Sequence, residues 1–171
     1  LDGLIMGQRC GALDAGVVLH LLQQHHLSPA AIEHMLYNES GLKGVSGISN
    51  NMQVLTTSTH PHAQQAIDLF CYRAARELSS LVCAIDGIDA IVFTAGIGEH
   101  SALVRERICG HLGWLGVALD PIANQHHHSV ISPVKCPITT LVIPTDEESV
   151  IAQSTLALMY DSTDSKEIHH A

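Results

Sequence analysis

The fold of this chain is indicated by residues 89–100, which read Asp-Ala-Ile-Val-Phe-Thr-Ala-Gly-Ile-Gly-Glu-His. The first half of this stretch is apolar and rich in β-branched residues, as is typical of a strand buried on both faces of a parallel or mixed sheet. We expect a tight glycine turn over 95–99 and an amphipathic helix over 101–112. A second unit follows, with a strand over 139–143, a break at Pro144 and a helix over 145–159. The two units together predict an α/β domain.

Helical periodicity is strongest over 62–85, where apolar residues recur at steps of three and four. The sequence predicts one long helix there, which serves as a central packing element or as a subunit contact. A shorter helix is predicted over 17–24, with Asp14 as its N-cap. Another is predicted over 29–38, where a Ser-Pro pair marks the start.

The remaining segments carry weaker signals. A short apolar run predicts a strand over 1–7, and glycines and polar residues predict a loop over 39–61. The polar end of the chain, 161–171, is expected to fray, so the domain is assigned to 1–160.

The composition argues against several functional classes. The chain has 171 residues, of which 46% are apolar, so it can bury the core of one domain. Eight Lys and Arg against 17 Asp and Glu give a net charge of −9, which argues against nucleic acid and anionic membranes as partners. No apolar stretch reaches the ~20 residues of a bilayer crossing and no signal peptide is visible, so a soluble protein is expected.

Cysteine usage predicts a reducing compartment and therefore the cytoplasm. The 5 cysteines are an odd number without a Cys-x-x-Cys pair, which is typical of buried small hydrophobes rather than of a disulfide framework. The 13 histidines include the run His126-His127-His128. No spacing among them matches a zinc site, so they are interpreted as solvated.

The glycine turn over 96–100 has two interpretations. Glycines between a strand and a helix let backbone N–H groups approach a phosphate or ribose closely. Alternatively, the glycines only supply the positive φ values of a turn. The spacing alone favours neither. Strict dinucleotide and P-loop motifs are excluded, because Ser101 occupies the third glycine position and no Walker lysine follows, so an unrelated dinucleotide-dependent oxidoreductase is rejected.

Acidic residues follow the second strand, in Thr145-Asp146-Glu147-Glu148. Thr145 and Glu148 fit a capping box, which leaves Asp146 and Glu147 at the carboxyl end of the strand. Carboxylates there can hold a phosphate-bound Mg²⁺, directly or through water. Favourable placement on the helix dipole explains them without a metal, and the pattern alone favours that interpretation.

Arg9 lies in a turn flanked by Gly7 and Gly11. An arginine in such a turn can bind a phosphoryl or carboxylate group bidentately and can stabilise charge during transfer. The alternative is a surface ion pair with Asp14.

Four stretches, residues 4–14, 40–47, 89–99 and 142–148, occur in an order that resembles the C-terminal half of acetate kinase and its propionate kinase relatives. The resemblance runs from residue 1 to about residue 159. It implies a ribonuclease-H-like domain of the actin, hexokinase and Hsp70 class, in which the nucleotide lies between two such domains. It also implies reversible transfer of the γ-phosphoryl group of ATP to acetate or propionate, with Mg²⁺.

The same resemblance implies roles for individual residues. Arg9 would stabilise the transition state, and Glu147 would serve Mg²⁺. Dimers of the family meet largely through this half, which suits the helix over 62–85 and implies a homodimer. ATP or ADP would be bound by Gly96, Ile97, Gly98, Glu99 and His100 and, on the adenosine side, by Asn51, Met52 and Gln53.

The sequence also departs from the family. Ala12 and Ala15 replace an acid and a proline, and His100 replaces an asparagine. Asn51 and Gln53 stand where the family has an aspartate and an arginine, so both charges are lost. The N-terminal half, with a substrate-binding arginine, a catalytic histidine and an aspartate, is expected to be missing, so no turnover is expected from these residues alone. The alternative is a non-catalytic dimerising or regulatory module with a degenerate nucleotide site.

Overall fold

The computed structural model describes residues 3–164, apart from the side chains of Glu147 and of residues 160–164. Its helices and strands form an α/β domain, as the sequence predicts. None of these helices has both the length and the apolar character that a bilayer crossing requires. In chain order, the elements are α1 (Ala15–Gln23), α2 (Pro29–Asn38), α3 (Gly41–Ser46), α4 (Met52–Thr57), α5 (Pro61–Ala84), β1 (Ala90–Phe93), α6 (Ala95–His100), α7 (Ala102–Gly110), a 3₁₀ turn (Gly113–Leu115), α8 (Pro121–Gln125), β2 (Thr139–Val142) and α9 (Glu147–Asp164).

The sheet consists of the parallel strands β1 and β2, paired in a register that matches Ala90 with Thr139. Helices α6, α7 and α8 form the crossover between them. Both predicted strands are confirmed, but the predicted burial on both faces is wrong. Ile91 and Phe93 are buried, whereas Val92 on the opposite face is 49% exposed. The strand alternates in this way because the core formed by the described residues covers only one face of the sheet.

The long helix α5 is the central packing element, and the predicted helix is confirmed. Its 24 residues span about 36 Å at a rise of 1.5 Å per residue. A stripe that includes Ala63, Ile67 and Cys71 is fully buried. The helix packs against α3, α4 and α7. It thereby fixes α4 and the start of α7, which lie beside the candidate site described below.

The predicted loop over 39–61 is wrong, because this segment contains helices α3 and α4. Each has six residues and is too short to show a periodic apolar stripe. Asn51 caps α4, since its side chain accepts a hydrogen bond from the Gln53 N–H at 2.8 Å. Leu42 and Leu55 are buried in the core and hold the two helices against α5.

The predicted strand at the start of the chain is not formed in the described residues 3–7. The carbonyl oxygens of Met6 and Gly7 instead accept hydrogen bonds from the N–H groups of Leu42 and Lys43, both at 2.9 Å. The first N–H groups of a helix have no partner within it, so this segment satisfies the start of α3 rather than pairing with a strand. The first two residues of the predicted strand lie outside the described residues.

The helices that follow the strands begin and end near their predicted positions. Ser101 caps α7, which ends at Gly110, two residues before its predicted end. Helix α9 continues to Asp164, so the first residues of the predicted frayed tail are helical. Residues 165–171 lie outside the described part of the chain. Helix α8 is not predicted by periodicity, because it has only five residues, and it is capped by Asp120.

The cysteines are free thiols. Cys71 and Cys109 lie in the core. Burial raises the pKa of Cys71 to about 11 and the pKa of Cys109 to about 12. Both thiols are therefore neutral at pH 7 and pack as small apolar groups.

Candidate functional site

A cavity of about 430 Å³ lies between α4 and α6. It joins two segments that are far apart in the chain and that the family resemblance links to nucleotide binding. Gly98 and Glu99, which belong to the same prediction, do not line it. The lining residues are Asn51, Met52, Gln53 and Thr56 from α4 and its cap, and Gly96, Ile97, His100 and Ser101 from α6 and its C-terminal end.

The predicted tight turn over 95–99 is wrong, because this segment forms helix α6. Thr94 is its N-cap residue, and the Ser101 N–H donates to the Ile97 carbonyl at 3.1 Å, which closes its last turn. Ala95 is the residue with a positive φ, of 57°, at the entry to the helix.

The two glycines of α6 serve different purposes. Neither has a φ in the left-handed region, so the interpretation that they supply the positive φ of a turn is wrong. A Cβ added at Gly98 would lie 3.3 Å from the carbonyl carbon of Phe93, so glycine there lets α6 pack closely on the end of β1. A Cβ added at Gly96 would meet no atom within 4 Å. Packing of the described protein therefore does not require glycine at this position, and its exposed backbone is open to a ligand.

A second cavity, of about 480 Å³, adjoins the first at Gly96. It lies where the carboxyl ends of both parallel strands meet, which is the edge at which α/β proteins bind ligands. Glu147 begins α9, but its side chain lies outside the described structure, so its predicted role with Mg²⁺ stays a prediction. The second cavity is lined by Ala95, Gly96, Thr145, Asp146 and Glu148.

The predicted capping box at the start of α9 is wrong. Asp146 caps the helix, since its Oδ1 accepts a hydrogen bond from the Ser149 N–H at 3.1 Å. Thr145 instead bonds to Glu99 of α6: its N–H and its hydroxyl donate to Oε1 at 2.9 and 3.1 Å. The helix begins at Glu147, one residue later than the box requires, which moves the cap from Thr145 to Asp146.

Glu99 is held as a carboxylate. The hydrogen bond from the Thr145 N–H has the largest effect and lowers the pKa of Glu99 below its ordinary value. Burial opposes this shift, whereas the Thr145 hydroxyl and the Ala95 N–H reinforce it. Its carboxylate therefore joins α6 to the β2–α9 junction and remains charged at neutral pH.

Arg9 lies in a different cavity, of about 250 Å³. Its Cζ is 5.5 Å from the centroid of the Tyr37 ring, a cation–π distance. The alternative ion pair is not formed, because Asp14 caps α1 by accepting from the Gly16 N–H at 2.7 Å. The lining residues of this cavity are Met6, Arg9, Cys10, Gly11, Leu13, Val18, Leu36 and Tyr37.

The turn that carries Arg9 is nevertheless fixed beside α4. A Cβ added at Gly7 would lie 2.9 Å from the carbonyl oxygen of Asn50, the residue before the α4 cap. A Cβ added at Gly41 would lie 2.2 Å from the Met6 carbonyl oxygen, and the φ of Gly41 is +65°. Both positions therefore require glycine, and they set the placement of the turn relative to the first cavity.

Arg105 is an important residue of this region that the sequence did not reveal. It is fully buried, and its guanidinium donates to the Gly98 and Glu99 carbonyl oxygens, both at 2.8 Å. Charged residues are almost never fully buried, so an arginine between Val104 and Ile108 is assigned to the surface by pattern alone.

The fold and the two cavities define an α/β domain with a candidate ligand site at the carboxyl ends of its strands. The profile of the Acetokinase family matches residues 1–153. The chain belongs to this family.

Individual relatives agree with this assignment. The acetate kinase of Rhodopseudomonas palustris (strain TIE-1) is 53% identical over 155 residues, which cover 90% of this chain and 39% of that protein. The acetate kinase of Nitrobacter hamburgensis is 49% identical over 169 residues, which cover 99% of this chain and 42% of that protein. The chain thus spans less than half the length of these relatives.

Two solved structures are similar in fold. The Porphyromonas gingivalis acetate kinase matches with a TM-score of 0.85 at 32% identity, over 92% of this chain and 41% of that one. A propionate kinase from Francisella tularensis matches with a TM-score of 0.83 at 34% identity, over 89% of this chain and 40% of that one.

Proposed function

We propose that this chain forms the nucleotide-side part of a carboxylate kinase, which reversibly transfers the γ-phosphoryl group of ATP to acetate or propionate. The observation that carries the proposal is the 430 Å³ cavity, in which the α4 cap region and the open backbone of Gly96 face each other. The relatives are acetate kinases and a propionate kinase, which supports this substrate class. Because the chain spans less than half their length, the activity of a whole enzyme is part of the proposal.

We assign the domain to the ribonuclease-H-like fold of the actin, hexokinase and Hsp70 class. The TM-scores of 0.85 and 0.83 against an acetate kinase and a propionate kinase support a shared fold. A second such domain would come from the part of the relatives that this chain does not match, and the nucleotide would lie between the two.

In the proposed complex, adenosine lies against α4 and the phosphates lie at the start of α6. Asn51 and Gln53 offer amide groups that can hydrogen-bond to neutral ring atoms and hydroxyl groups. The backbone at Gly96 borders both cavities, so it lies between the adenosine side and the acidic side of the site. Phosphate oxygens can approach it closely, because no side chain shields it.

The acidic residues at the start of α9 fit an Mg²⁺ ion that arrives with the nucleotide. Protein sites hold Mg²⁺ through one or two carboxylates, water and phosphate oxygens rather than through an all-protein cage. Among the described residues, no three or more metal-ligating side chains lie close enough together to form a metal site. Glu148 lines the cavity beside Gly96. Glu147 or Glu148 would hold the ion, and the bound Mg²⁺ would offset charge on the phosphates. Asp146 already caps α9.

We assign to Arg9 the stabilisation of charge on the transferring phosphoryl group. Its guanidinium has no ion-pair partner within the described part of the chain, so its fork is open to an anionic ligand. Arg9 and Gly96 line separate cavities. Phosphoryl transfer therefore requires the acceptor and the phosphate to be brought together in the space between these two residues. Such positioning supplies much of the rate in phosphoryl transfer, and the unmatched part of the relatives would provide it.

We further propose that the protein is a homodimer in the cytoplasm. Tyr72 and Leu81 of α5 and its C-cap residue Ile85 are each more than half exposed. The resemblance assigns this helix to the subunit contact. Free cysteines are typical of proteins in a reducing compartment.

The second candidate function is that of a non-catalytic dimerising or regulatory module with a degenerate nucleotide site. The observation that favours it is the neutral wall of the first cavity, since no Asp, Glu, Lys or Arg is among its described lining residues. Asn51 and Gln53 stand where the family resemblance implies opposite charges.

Titration calorimetry with Mg-ADP and a coupled assay with acetate and propionate separate these candidates. Saturable binding of Mg-ADP supports the kinase proposal. Absence of binding both by this chain and by a chimera that carries the N-terminal part of the R. palustris acetate kinase would overturn it in favour of the module. Turnover by the 171 residues alone, near that of an intact family kinase, would overturn the claim that both sides of the cleft are required.

A further inference from the structure

Arg105 is buried without a carboxylate partner among the described residues. Its side chain has no accessible surface, and its guanidinium contacts amide and carbonyl oxygens and one imidazole nitrogen. The Nε atom donates to Asn124 Oδ1 at 2.7 Å, and Nη2 donates to the Asn124 carbonyl at 2.7 Å. The Nη2 atom also lies 3.0 Å from His127 Nδ1. Burying a cation without a counter-ion is unfavourable, so this arrangement is maintained by the geometry of its acceptors.

The remaining acceptors belong to the C-terminal part of α6. Nη1 of Arg105 donates to the carbonyl oxygens of Gly98 and Glu99, both at 2.8 Å. The last carbonyl groups of a helix have no partner within it, and a cation is favoured beside them. His127 reaches the same place, since its Nδ1 is 2.9 Å from the Glu99 carbonyl oxygen.

Helix α6 is thus held from two directions. On one side, Arg105 of α7 fixes its carbonyl groups, and Arg105 is in turn held by Asn124 of α8, whose Nδ2 donates to the Ala102 carbonyl at 2.9 Å. On the other side, the Glu99 carboxylate is bound to Thr145. The helix has only six residues, so its orientation depends on these contacts rather than on its own length.

We propose that Arg105 is a positioning residue for the proposed nucleotide site. Together with Asn124 and His127 it fixes the carbonyl end of α6, and thereby the placement of Gly96, Ile97 and His100 in the wall of the first cavity. Arg105 itself does not line that cavity, so it acts through α6 and not by contact with the ligand. The expected effect of Arg105 on nucleotide binding rests on the proposed function. The effect of Arg105 on α6 can be measured without nucleotide.

The donor geometry makes arginine necessary. Arg105 serves two separate carbonyl groups of α6 and both oxygens of Asn124 at once, which requires a planar fork with several N–H groups. A lysine keeps the charge but offers one compact ammonium group, which cannot reach all of these acceptors. We therefore expect Arg105→Lys to release the end of α6.

The experiment uses the whole chain and compares His127→Ala with Arg105→Lys. His127 is exposed, so its removal leaves the core intact while deleting one contact to Arg105 and one to Glu99. The matched control is His128→Ala, because His128 is also exposed and its ring contact is with His126. Hydrogen–deuterium exchange of backbone amides 96–101 is measured without nucleotide, thermal unfolding follows overall stability, and calorimetry gives the Kd for Mg-ADP.

We expect faster amide exchange in α6 for both test variants and unchanged exchange in α5. The unfolding temperature of His127→Ala should equal that of the wild type. The Kd for Mg-ADP should rise roughly three- to tenfold in His127→Ala, the effect of losing one hydrogen bond, and more in Arg105→Lys. The control should match the wild type. Unchanged exchange in α6, or faster exchange with an unchanged Kd, would overturn the positioning role. If neither the wild type nor the chimera with the N-terminal part of the R. palustris acetate kinase binds Mg-ADP, the proposed function fails. Exchange in α6 then still decides whether Arg105 fixes this helix.

Discussion

The carboxylate of Glu99 accepts hydrogen bonds from both the N–H and the hydroxyl of Thr145, at 2.9 and 3.1 Å, across 46 positions of the chain. The two residues belong to the two strand-to-helix junctions that border the second cavity. Their contact fixes the glycine-containing helix against the acidic start of α9. Two segments with separate sequence signals thereby border one candidate site.

The charge of Glu99 should make stability depend on pH. Its pKa is lowered in the folded protein, so its contribution to stability is present above the ordinary pKa of 4.5 and is lost as the pH falls through the lower folded value. We expect Glu99→Gln to lose less stability than the wild type between about pH 6 and pH 3, because the carboxamide does not titrate. Urea unfolding at a series of pH values measures this difference.

The control for this prediction is Glu77→Gln on α5. Glu77 is exposed and its side chain makes no hydrogen bond or ion pair with the described residues, so the stability profile of this variant should follow that of the wild type. Parallel profiles for Glu99→Gln and the wild type would show that the Thr145 contact does not hold the carboxylate in solution.

Alanine substitutions at the two glycines of α6 should have different effects on stability and on nucleotide binding. A methyl group at Gly96 meets no protein atom within 4 Å, so Gly96→Ala should leave the free energy of unfolding unchanged or raise it by about 0.5–1 kcal/mol, as for alanine in a helix. The same methyl group projects where a ligand would approach, so binding of Mg-ADP should weaken. Gly98→Ala should show lower stability, because its Cβ would lie 3.3 Å from the Phe93 backbone.

Urea unfolding and calorimetry on the same two variants provide the measurement. Unchanged affinity in Gly96→Ala would remove the ligand interpretation of that glycine. A fully stable Gly98→Ala would show that α6 can move away from β1 without loss.

Charges restored at the α4 cap should strengthen nucleotide binding. In the double variant Asn51→Asp with Gln53→Arg, the aspartate keeps the cap to residue 53, since its oxygen can accept the same N–H. A hydrogen bond to a charged group contributes about 1.5–3 kcal/mol, so the Kd for Mg-ADP should fall roughly ten- to a hundredfold per contact. Calorimetry at low and high salt measures it.

The matched control is Asn51→Asp with Gln53→Glu, which keeps the cap and places a second negative charge instead of a positive one. We expect this variant to bind no more tightly than the wild type. Equal gains in both variants would show that the wall does not contact adenosine as proposed.

The sequence predicts the elements that are long or strongly patterned. The helix α5 and the strands β1 and β2 follow from periodicity and from a β-branched run, because burial acts on many residues of each at once. Helices α3 and α4 are too short for such a signal, and they exist because caps and tertiary burial stabilise them. Local patterns were also overridden by long-range contacts, as when Thr145 leaves the capping box for Glu99.

In the candidate site, too, some features follow from the sequence and others depend on contacts between distant segments. Resemblance brings the segments around Asn51 and Gly96 into one prediction, and the structure places both in one cavity. Arg9 is not brought into that cavity. The role of Arg105 depends on acceptors from α6 and α8 that only the folded chain brings together, so no local pattern identifies it.

The last prediction concerns Arg9 and decides between an enzyme and a non-catalytic module. Arg9 lies in a cavity of its own, beside Tyr37, so it should contribute little to nucleotide binding by this chain. We expect Arg9→Ala to change the Kd for Mg-ADP by less than about twofold, whereas Gly96→Ala weakens it. In a chimera with the N-terminal part of the R. palustris acetate kinase, whose matching segment is 53% identical, both sides of the phosphate are present.

In that chimera, Arg9→Ala and Arg9→Lys should both lose activity with acetate by roughly a hundredfold or more, because lysine lacks the bidentate fork that stabilises charge on a transferring phosphoryl group. The KM for ATP should change little, since the contact arises only during transfer. A Tyr37→Phe variant is the matched control, because it keeps the ring beneath the guanidinium and should retain activity. An active Arg9→Ala chimera would exclude Arg9 from catalysis. An inactive parent chimera that still binds Mg-ADP would instead favour the non-catalytic module, since positioning from both sides would then be present without transfer.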